Sequence, residues 1–332
     1  MHGSPSPATS VVSRTTPTAP ASTTPDPVTS SSSPATGLRT SPPDWPRQPA
    51  AAGPEWSWPE LPAARTADVA VGYTGRNLGD RRVPIGHVDA GAMAAATGFF
   101  STASDLARYA AAHVLGDDRL LTDDSKRMMQ HVAWEVQGAG AGAYGLGLGV
   151  TVLGGRTVVG HGGAYPGYIT RTFVDPVDGL VVSVLTNAID GPALAYASVA
   201  VRLVDLAAAA GAEAVDAGGA PTGDIDLGSF TGRFASLWGV QDVCVLGGRV
   251  FAFDLGLPDP TVQPSRIEVV DADTLRLADD AGYGSPGELI HVERDADGNV
   301  TALRGGITSY PYDVVAAAAA DAARIEVGRP LV

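Results

Sequence analysis

The sequence predicts an α+β unit built on an antiparallel sheet with helices, followed by a small all-β barrel or sandwich, behind a disordered N-terminus. Three observations carry that prediction. Between residues 61 and 211 helical spacing comes first, then successive strand-like runs joined by short glycine turns, then a closing helix. From 227 to 313 there are only short strand-like runs, separated by turn residues. Thirty of the first fifty residues are Pro, Ser or Thr, and apolar residues there are too sparse to offset the entropy of ordering.

The boundaries follow: 1–60 as the Pro/Ser/Thr-rich segment, 61–211 as the α+β unit, 212–226 as a Gly/Ala/Pro/Asp linker, 227–313 as the all-β unit, and 314–332 as an Ala-rich tail. The 332 residues are 45% hydrophobic and 17% charged, a globular balance, with no apolar run judged long enough to span a bilayer. A formal charge of -14 argues against a nucleic-acid partner, which needs clustered Lys and Arg. The single Cys244 excludes an intramolecular disulfide, and its neighbours Val243 and Val245 mark it as a strand residue. No basic stretch followed by an apolar one marks a signal peptide near Met1.

Taken in order, Val69-Ala70-Val71-Gly72-Tyr73 reads as a short strand and residues 84–97 as an extended Ala/Gly-rich loop. Ser101 or Thr102 caps a helix with Asp105 in its first turn, and Leu106, Tyr109, Ala110, His113 and Val114 give it one buried face. A second helix starts near Thr122, with Asp123 and Asp124 at its N-terminal turn and Met128 and Met129 as core filler. Strands are expected at 144–153, 156–160, 168–175 and 180–186, with hairpin turns at Gly154-Gly155 and Asp178-Gly179. The final helix is read from Pro192 to Ala210, ending at Gly211. In the all-β unit the strands are 240–246, 250–254, 266–270, 274–277, 288–294 and 300–304, opened by Phe230-Thr231-Gly232-Arg233-Phe234; residues 314–324 form a short helix. His113 and His131 lack partners at ligand spacing, so no metal is expected, and no cofactor or nucleotide is suggested.

The stretch around which the chain is organised is Gly160-His161-Gly162-Gly163-Ala164-Tyr165-Pro166-Gly167-Tyr168. A polar His stands between two β-branched runs, with glycines that let a backbone come close. Alone it reads equally as a hairpin connection with a chance His. With Gly98-Phe99-Phe100-Ser101-Thr102-Ala103-Ser104-Asp105-Leu106-Ala107-Arg108-Tyr109 before it, Tyr144-Gly145-Leu146-Gly147 between, and Phe173-Val174-Asp175-Pro176 and Val184-Leu185-Thr186-Asn187 after it, the chain resembles the C-terminal half of the serine β-lactamase-type hydrolases. These include class C β-lactamases, D-Ala-D-Ala peptidases and related esterases. The resemblance covers roughly residues 68–211, and the all-β unit resembles the barrel appended to many members.

What the resemblance implies is acyl transfer on an ester, amide or peptide-like substrate, with no cofactor. His161-Gly162-Gly163 falls on the motif of Lys or His, then Ser or Thr, then Gly. His161 would place a donor beside the leaving group or a substrate carboxylate, Gly163 would keep the strand edge open, and the Ala164 amide would be one oxyanion donor. Gly162 and Tyr165 would face substrate. Gly162 departs from the usual hydroxyl residue, which favours an esterase-like or amidase-like relative.

The same family attacks with a Ser in a Ser-x-x-Lys motif, assisted by Tyr-x-Asn. Neither motif occurs in these 332 residues. The single Lys126 directly follows Ser125, and Tyr73 and Asn77 are too far apart. Ser101 reads as a helix-start hydroxyl rather than a nucleophile, and Ser285 as a loop residue. Residues 1–60 are either a Ser/Thr/Pro stalk or, as the preferred reading, a start or frame error standing where the nucleophile half belongs. Three readings follow: an incomplete, inactive hydrolase; a non-catalytic binding module; or one half of a split enzyme. In the family two N-terminal strands complete the sheet, so the 68–211 unit alone is expected to expose a sheet edge and be aggregation-prone.

Overall fold

A computed structural model describes residues 8–14, 69–137, 142–216, 225–279 and 284–327. The chain divides into two compact units, residues 1–201 and 202–332.

In the first unit the elements are β1 (Ala8–Arg14), β2 (Gly72–Tyr73), β3 (Pro84–Ile85), α1 (Ala94–Thr97), α2 (Ala103–Ala111), α3 (Asp123–Gln130), β4 (Trp134–Val136), β5 (Gly142–Tyr144), β6 (Gly149–Leu153), β7 (Arg156–Tyr165), β8 (Tyr168–Val174), β9 (Leu180–Thr186) and α4 (Ala193–Asp216), the last running past the division at residue 201. A seven-stranded antiparallel sheet has the order β1-β9-β8-β7-β6-β5-β4. Strand β9 is buried on both faces, which is why Leu180-Val181-Val182-Ser183-Val184 is apolar but for Ser183, whose hydroxyl bonds to Thr172. Against the sheet lies α2, whose Ala107, Ala110 and Ala111, with Val114 beyond its end, pack on Val159, Val174 and Val181. Small residues on that face let the helix sit close.

The caps follow the sequence. The Asp105 N–H donates to Thr102 Oγ1 at 3.1 Å, so Thr102 is the cap of α2, and Thr122 caps α3 by accepting from the Ser125 N–H at 3.3 Å. The β6–β7 hairpin turns at Gly154-Gly155, both with positive φ, and β8–β9 at Asp178-Gly179. The β7–β8 turn is Pro166-Gly167, with φ +92° at Gly167, the residue pair a type II turn demands.

Several expectations change. The strand read at 144–153 is two strands, β5 and β6, because Gly147 at φ +72° turns the chain between them. Strand β7 does not stop at Gly160 but runs through His161-Gly162-Gly163-Ala164 to Tyr165, since β8 pairs with it along that whole length. Inside 84–97, read as a loop, lie β3 and α1. One strand, β1, falls within the stretch that was read as carrying no fold. It pairs with β9 from Ala8↔Thr186 to Arg14↔Leu180, covering the sheet edge that was expected to be bare. A fragment starting at residue 68 would lose that partner.

The closing helix α4 corrects two further points. It passes through Gly211 to Asp216, because the Ala212-Glu213-Ala214-Val215 run after the glycine sustains a helix against a cost of about 1 kcal/mol. Its segment Ala193–Glu213, 21 residues at mean hydropathy 1.6, is long and apolar enough to cross a membrane by length and composition, so the statement that no run was long enough does not hold. Arg202 and Asp205 interrupt that segment, and within the second unit Arg202 donates to Asp259 at 2.5 Å. Leu203, Leu206 and Ala210 pack with Phe251 and Phe253 in the second unit.

The β8–β9 turn depends on charge. Asp175 is buried and accepts from the Val177 and Asp178 N–H groups at 2.9 and 3.0 Å and from Arg156 at 2.9 Å. Burial pushes its carboxyl up, but the Asp178 and Val177 amides and the Arg156 guanidinium outweigh that and hold it below the usual carboxylate range. A depressed pKa contributes stability above the unfolded value of about 3.9 that is lost as pH falls through the folded value. Asp175→Asn is therefore expected to cost about 1–3 kcal/mol near neutral pH and to flatten the acid limb of a plot of Tm against pH.

In the second unit β10 (Gly232–Ser236), β11 (Gly239–Leu246), β12 (Arg249–Asp254), β13 (Ser265–Asp271), β14 (Thr274–Asp279), β15 (Leu289–Arg294), β16 (Val300–Arg304) and β17 (Thr308–Pro311) close into a barrel, followed by α5 (Tyr312–Val327). The alternative of a sandwich is settled by β10 pairing with β17, Phe234 opposite Pro311 and Ala235 opposite Tyr310. Phe230, Phe234, Val250, Leu275 and Leu303 fill the interior. Cys244 lies half-buried on β11.

Candidate functional site

The site grows from an asymmetry in β7. On one side β8 accompanies it from Val159 to Tyr165; on the other, β6 ends at Gly149, opposite Gly160. Among the described residues, 161–165 therefore form a ladder edge with one side open. The two-residue turn makes Tyr165 and Tyr168 a hydrogen-bonded pair, and alternation extends this to Gly163 with Thr170 and His161 with Thr172. The backbone N–H groups of Gly162 and Ala164 then face away from β8, over the open edge.

Close approach at the base of this edge requires Gly160: a Cβ there would stand 2.1 Å from the Thr172 carbonyl oxygen and 2.8 Å from Phe173. At Gly163 a Cβ would meet Thr170 Oγ1 at 2.5 Å, so its absence leaves room for that hydroxyl. At Gly162 it would meet the Arg171 guanidinium, which donates to Thr170 O at 2.7 Å.

His161 is exposed and held at both nitrogens. Its Nδ1 lies within bonding reach of the Gly162 carbonyl, which can only accept, so Nδ1 carries the proton in the neutral ring. Its Nε2 therefore accepts from the Tyr144 hydroxyl at 2.9 Å, the two rings meeting edge-on with centroids 5.8 Å apart. Tyr144 was not assigned a role from the sequence, although it begins Tyr144-Gly145-Leu146-Gly147. Only the pairing of β5 with β6 and of β6 with β7 brings it to the histidine.

Beside the edge opens a cavity of about 960 Å³ between α2 and the sheet. His161, Gly162, Gly163, Ala164 and Tyr165 all line it, as do Ser101 and His113. Tyr165 is part of an aromatic group, its ring 6.1 Å from Phe100 and 6.4 Å from Tyr168. His113 is buried, with Nδ1 at 3.2 Å from the Tyr109 carbonyl, and burial holds its pKa below the usual histidine value.

The lysine is elsewhere. Lys126 in α3 is wholly buried, and its Nζ donates to Val114 O at 2.7 Å, to Asp117 O and to Asp123 Oδ1 at 2.9 Å. It ties the loop after α2 to α3 and does not line the cavity. Ser125, its neighbour, sits in the capping turn of α3, where its hydroxyl bonds to Thr122 Oγ1 at 3.1 Å. Ser285 lies in the loop before β15, its N–H donating to Glu288 at 3.4 Å.

An antiparallel sheet with a helix over a cavity and an open-sided His-Gly-Gly-Ala strand at its rim, with a β-barrel in the following unit, make an α+β chain of hydrolase-like fold. A beta-lactamase family model matches residues 12–206, more than half the chain, and the chain belongs to that family. The match begins well before residue 68, where the resemblance of motifs began. Among solved structures the chain is similar to SurE (21% identity, 73% of this chain and 55% of that one, TM-score 0.32). It is likewise similar to the octameric penicillin-binding protein homologue from Pyrococcus abyssi (22%, 76% and 56%, TM-score 0.37) and to a D-stereospecific amidohydrolase from Streptomyces sp. (22%, 40% and 39%, TM-score 0.34). It spans little more than half the length of the first two. No curated protein matches it.

Proposed function

We propose that residues 142–187 form the substrate-facing wall of an acyl-transfer pocket of the serine-hydrolase kind, acting on an ester, amide or peptide-like substrate, and that this chain alone does not turn over. The observation that supports it is the open edge of β7 beside the cavity. The Ala164 amide is suited to hold a carbonyl oxygen as charge develops on it. Gly163 keeps the strand thin enough for a substrate to lie alongside, and Gly162 and Tyr165 flank it. The His161–Tyr144 pair would offer a hydrogen-bonding group to a leaving group held along that edge.

What acyl transfer also needs is an activated hydroxyl. The sequence has no Ser-x-x-Lys, and its one lysine spends its ammonium on Val114, Asp117 and Asp123. The full chain incubated with a fluorophosphonate probe and with a fluorescent penicillin is expected to show no covalent adduct by mass spectrometry. An adduct mapped to any serine, Ser101 above all because it lines the cavity, overturns the inactive reading.

A second reading, a non-catalytic binding module, draws on the same cavity, whose lining among the described residues includes no lysine. A sharp two-state melt of the monomer together with reversible ligand binding favours it. Appearance of labelling only on mixing with a second polypeptide that carries Ser-x-x-Lys favours a split enzyme.

A further inference from the structure

The cavity beside β7 has a chemical character that narrows what it can take. Among the described residues that line it there is no Asp, Glu, Lys or Arg. Its ionisable groups are histidines and tyrosines. Arg171 pairs with Gly162 in the ladder, so its side chain shares the sheet face opposite to that of His161, Gly163 and Tyr165. It does not line the cavity.

The hydroxyls inside are largely committed. Thr186 donates to the Ile169 carbonyl at 2.8 Å, and Thr172 bonds with Ser183 at 2.9 Å. At the rim the surface is aromatic. Phe99 is 46% exposed, Phe100 meets Tyr165 edge-on at an interplanar angle of 73°, and Tyr168 continues the group. Leu106 of α2 adds an aliphatic wall.

We propose that this cavity selects a neutral ligand carrying an aryl group, seated among Phe99, Phe100, Leu106 and Tyr165, with its amide or ester carbonyl at the β7 edge, and that it rejects ligands bearing a carboxylate on the aryl end. The proposal rests on the reading of that edge as a carbonyl-binding wall. The physical argument is asymmetric. A carboxylate brought into the cavity loses hydration and meets no Lys or Arg among the described residues, a large penalty. An aryl ring loses nothing and gains apolar burial and edge-to-face contacts.

The test uses the full chain and three matched amides: N-benzylacetamide, 4-(acetamidomethyl)benzoate and N-methylacetamide, followed by NMR titration. N-benzylacetamide is expected to bind at least tenfold more tightly than either of the others. Phe99→Ala, an exposed position whose fold can be verified by circular dichroism, is expected to weaken it at least threefold. Equal or tighter binding of the benzoate, no dependence on Phe99, or no binding of any of the three overturns the proposal.

The Ala164 amide resonance separates this from the underlying reading. Aryl-selective binding that leaves the Ala164 N–H unmoved keeps the ligand class and removes the carbonyl-binding edge. An Ala164 N–H shifted by the benzoate as strongly as by the neutral amide keeps the edge and removes the ligand class.

Discussion

Lys126→Met is expected to destabilise the first unit by about 1–3 kcal/mol, the cost of removing a buried donor from the carbonyls it serves. The side chain is fully buried, and its three acceptors come from three places along the chain: Val114 just past α2, Asp117 in the loop and Asp123 in the first turn of α3. Methionine fills the volume but takes from the part-buried Asp117 carbonyl the Lys126 donor and leaves the buried Val114 carbonyl only the Asp117 N–H at 3.2 Å. Urea denaturation followed by tryptophan fluorescence reads the loss directly. Asp123→Asn is expected to be milder, because Asp123 is partly solvated and the two carbonyls keep their ammonium. If both substitutions prove silent in the melt, Lys126 is not the strut described here. Its freedom would then need explaining in a family whose chemistry uses a lysine.

The second large effect is expected at Gly160. Gly160→Ala places a methyl 2.1 Å from the Thr172 carbonyl oxygen and against Phe173, both belonging to the paired strand β8 and neither able to swing aside. Overpacking of that kind costs about 1–3 kcal/mol, and because the pair lies at the base of the open edge it also shifts His161 and Gly162. The expected readout is a lower urea midpoint together with loss of the Tyr144–His161 contact, seen as a change in the His161 ring resonances. Gly149, directly across the ladder from Gly160, is the control: a Cβ there meets its nearest atom at 3.4 Å, an ordinary contact, so Gly149→Ala should be nearly neutral. Equal effects at the two positions would mean that strand weakening by any side chain, and not the approach to Thr172, sets the cost.

Much of this arrangement is legible from local signals. Thr102 and Thr122 announce their helices because a hydroxyl before an acidic first turn satisfies orphan amides. Gly154-Gly155 and Asp178-Gly179 announce hairpins because positive φ is cheap there. Where pattern reading fell short, the deciding interaction came from far along the chain. Gly160 to Ala164 is too poor in β-formers to look like a strand, yet β8 pairs with all of it. Ala8–Arg14 lies in a Ser/Thr/Pro-rich stretch and is made a strand by the edge of β9. Gly232–Ser236 and Thr308–Pro311 are short, and the partnership that makes each a barrel strand joins the two ends of the unit.

By itself the sequence determined the class of fold and the lack of a Ser-x-x-Lys, and it singled out His161-Gly162-Gly163-Ala164 as a candidate stretch, since each of these is written in residue identity and short spacing. Only the tertiary structure decided that among the described residues the edge of β7 is open beyond Gly160 and the cavity wall holds no Asp, Glu, Lys or Arg, that Tyr144 meets His161, and that Lys126 is spent as a buried strut. Those facts depend on which segments become neighbours, and hydrogen-bond register and packing set that across distances no local pattern spans.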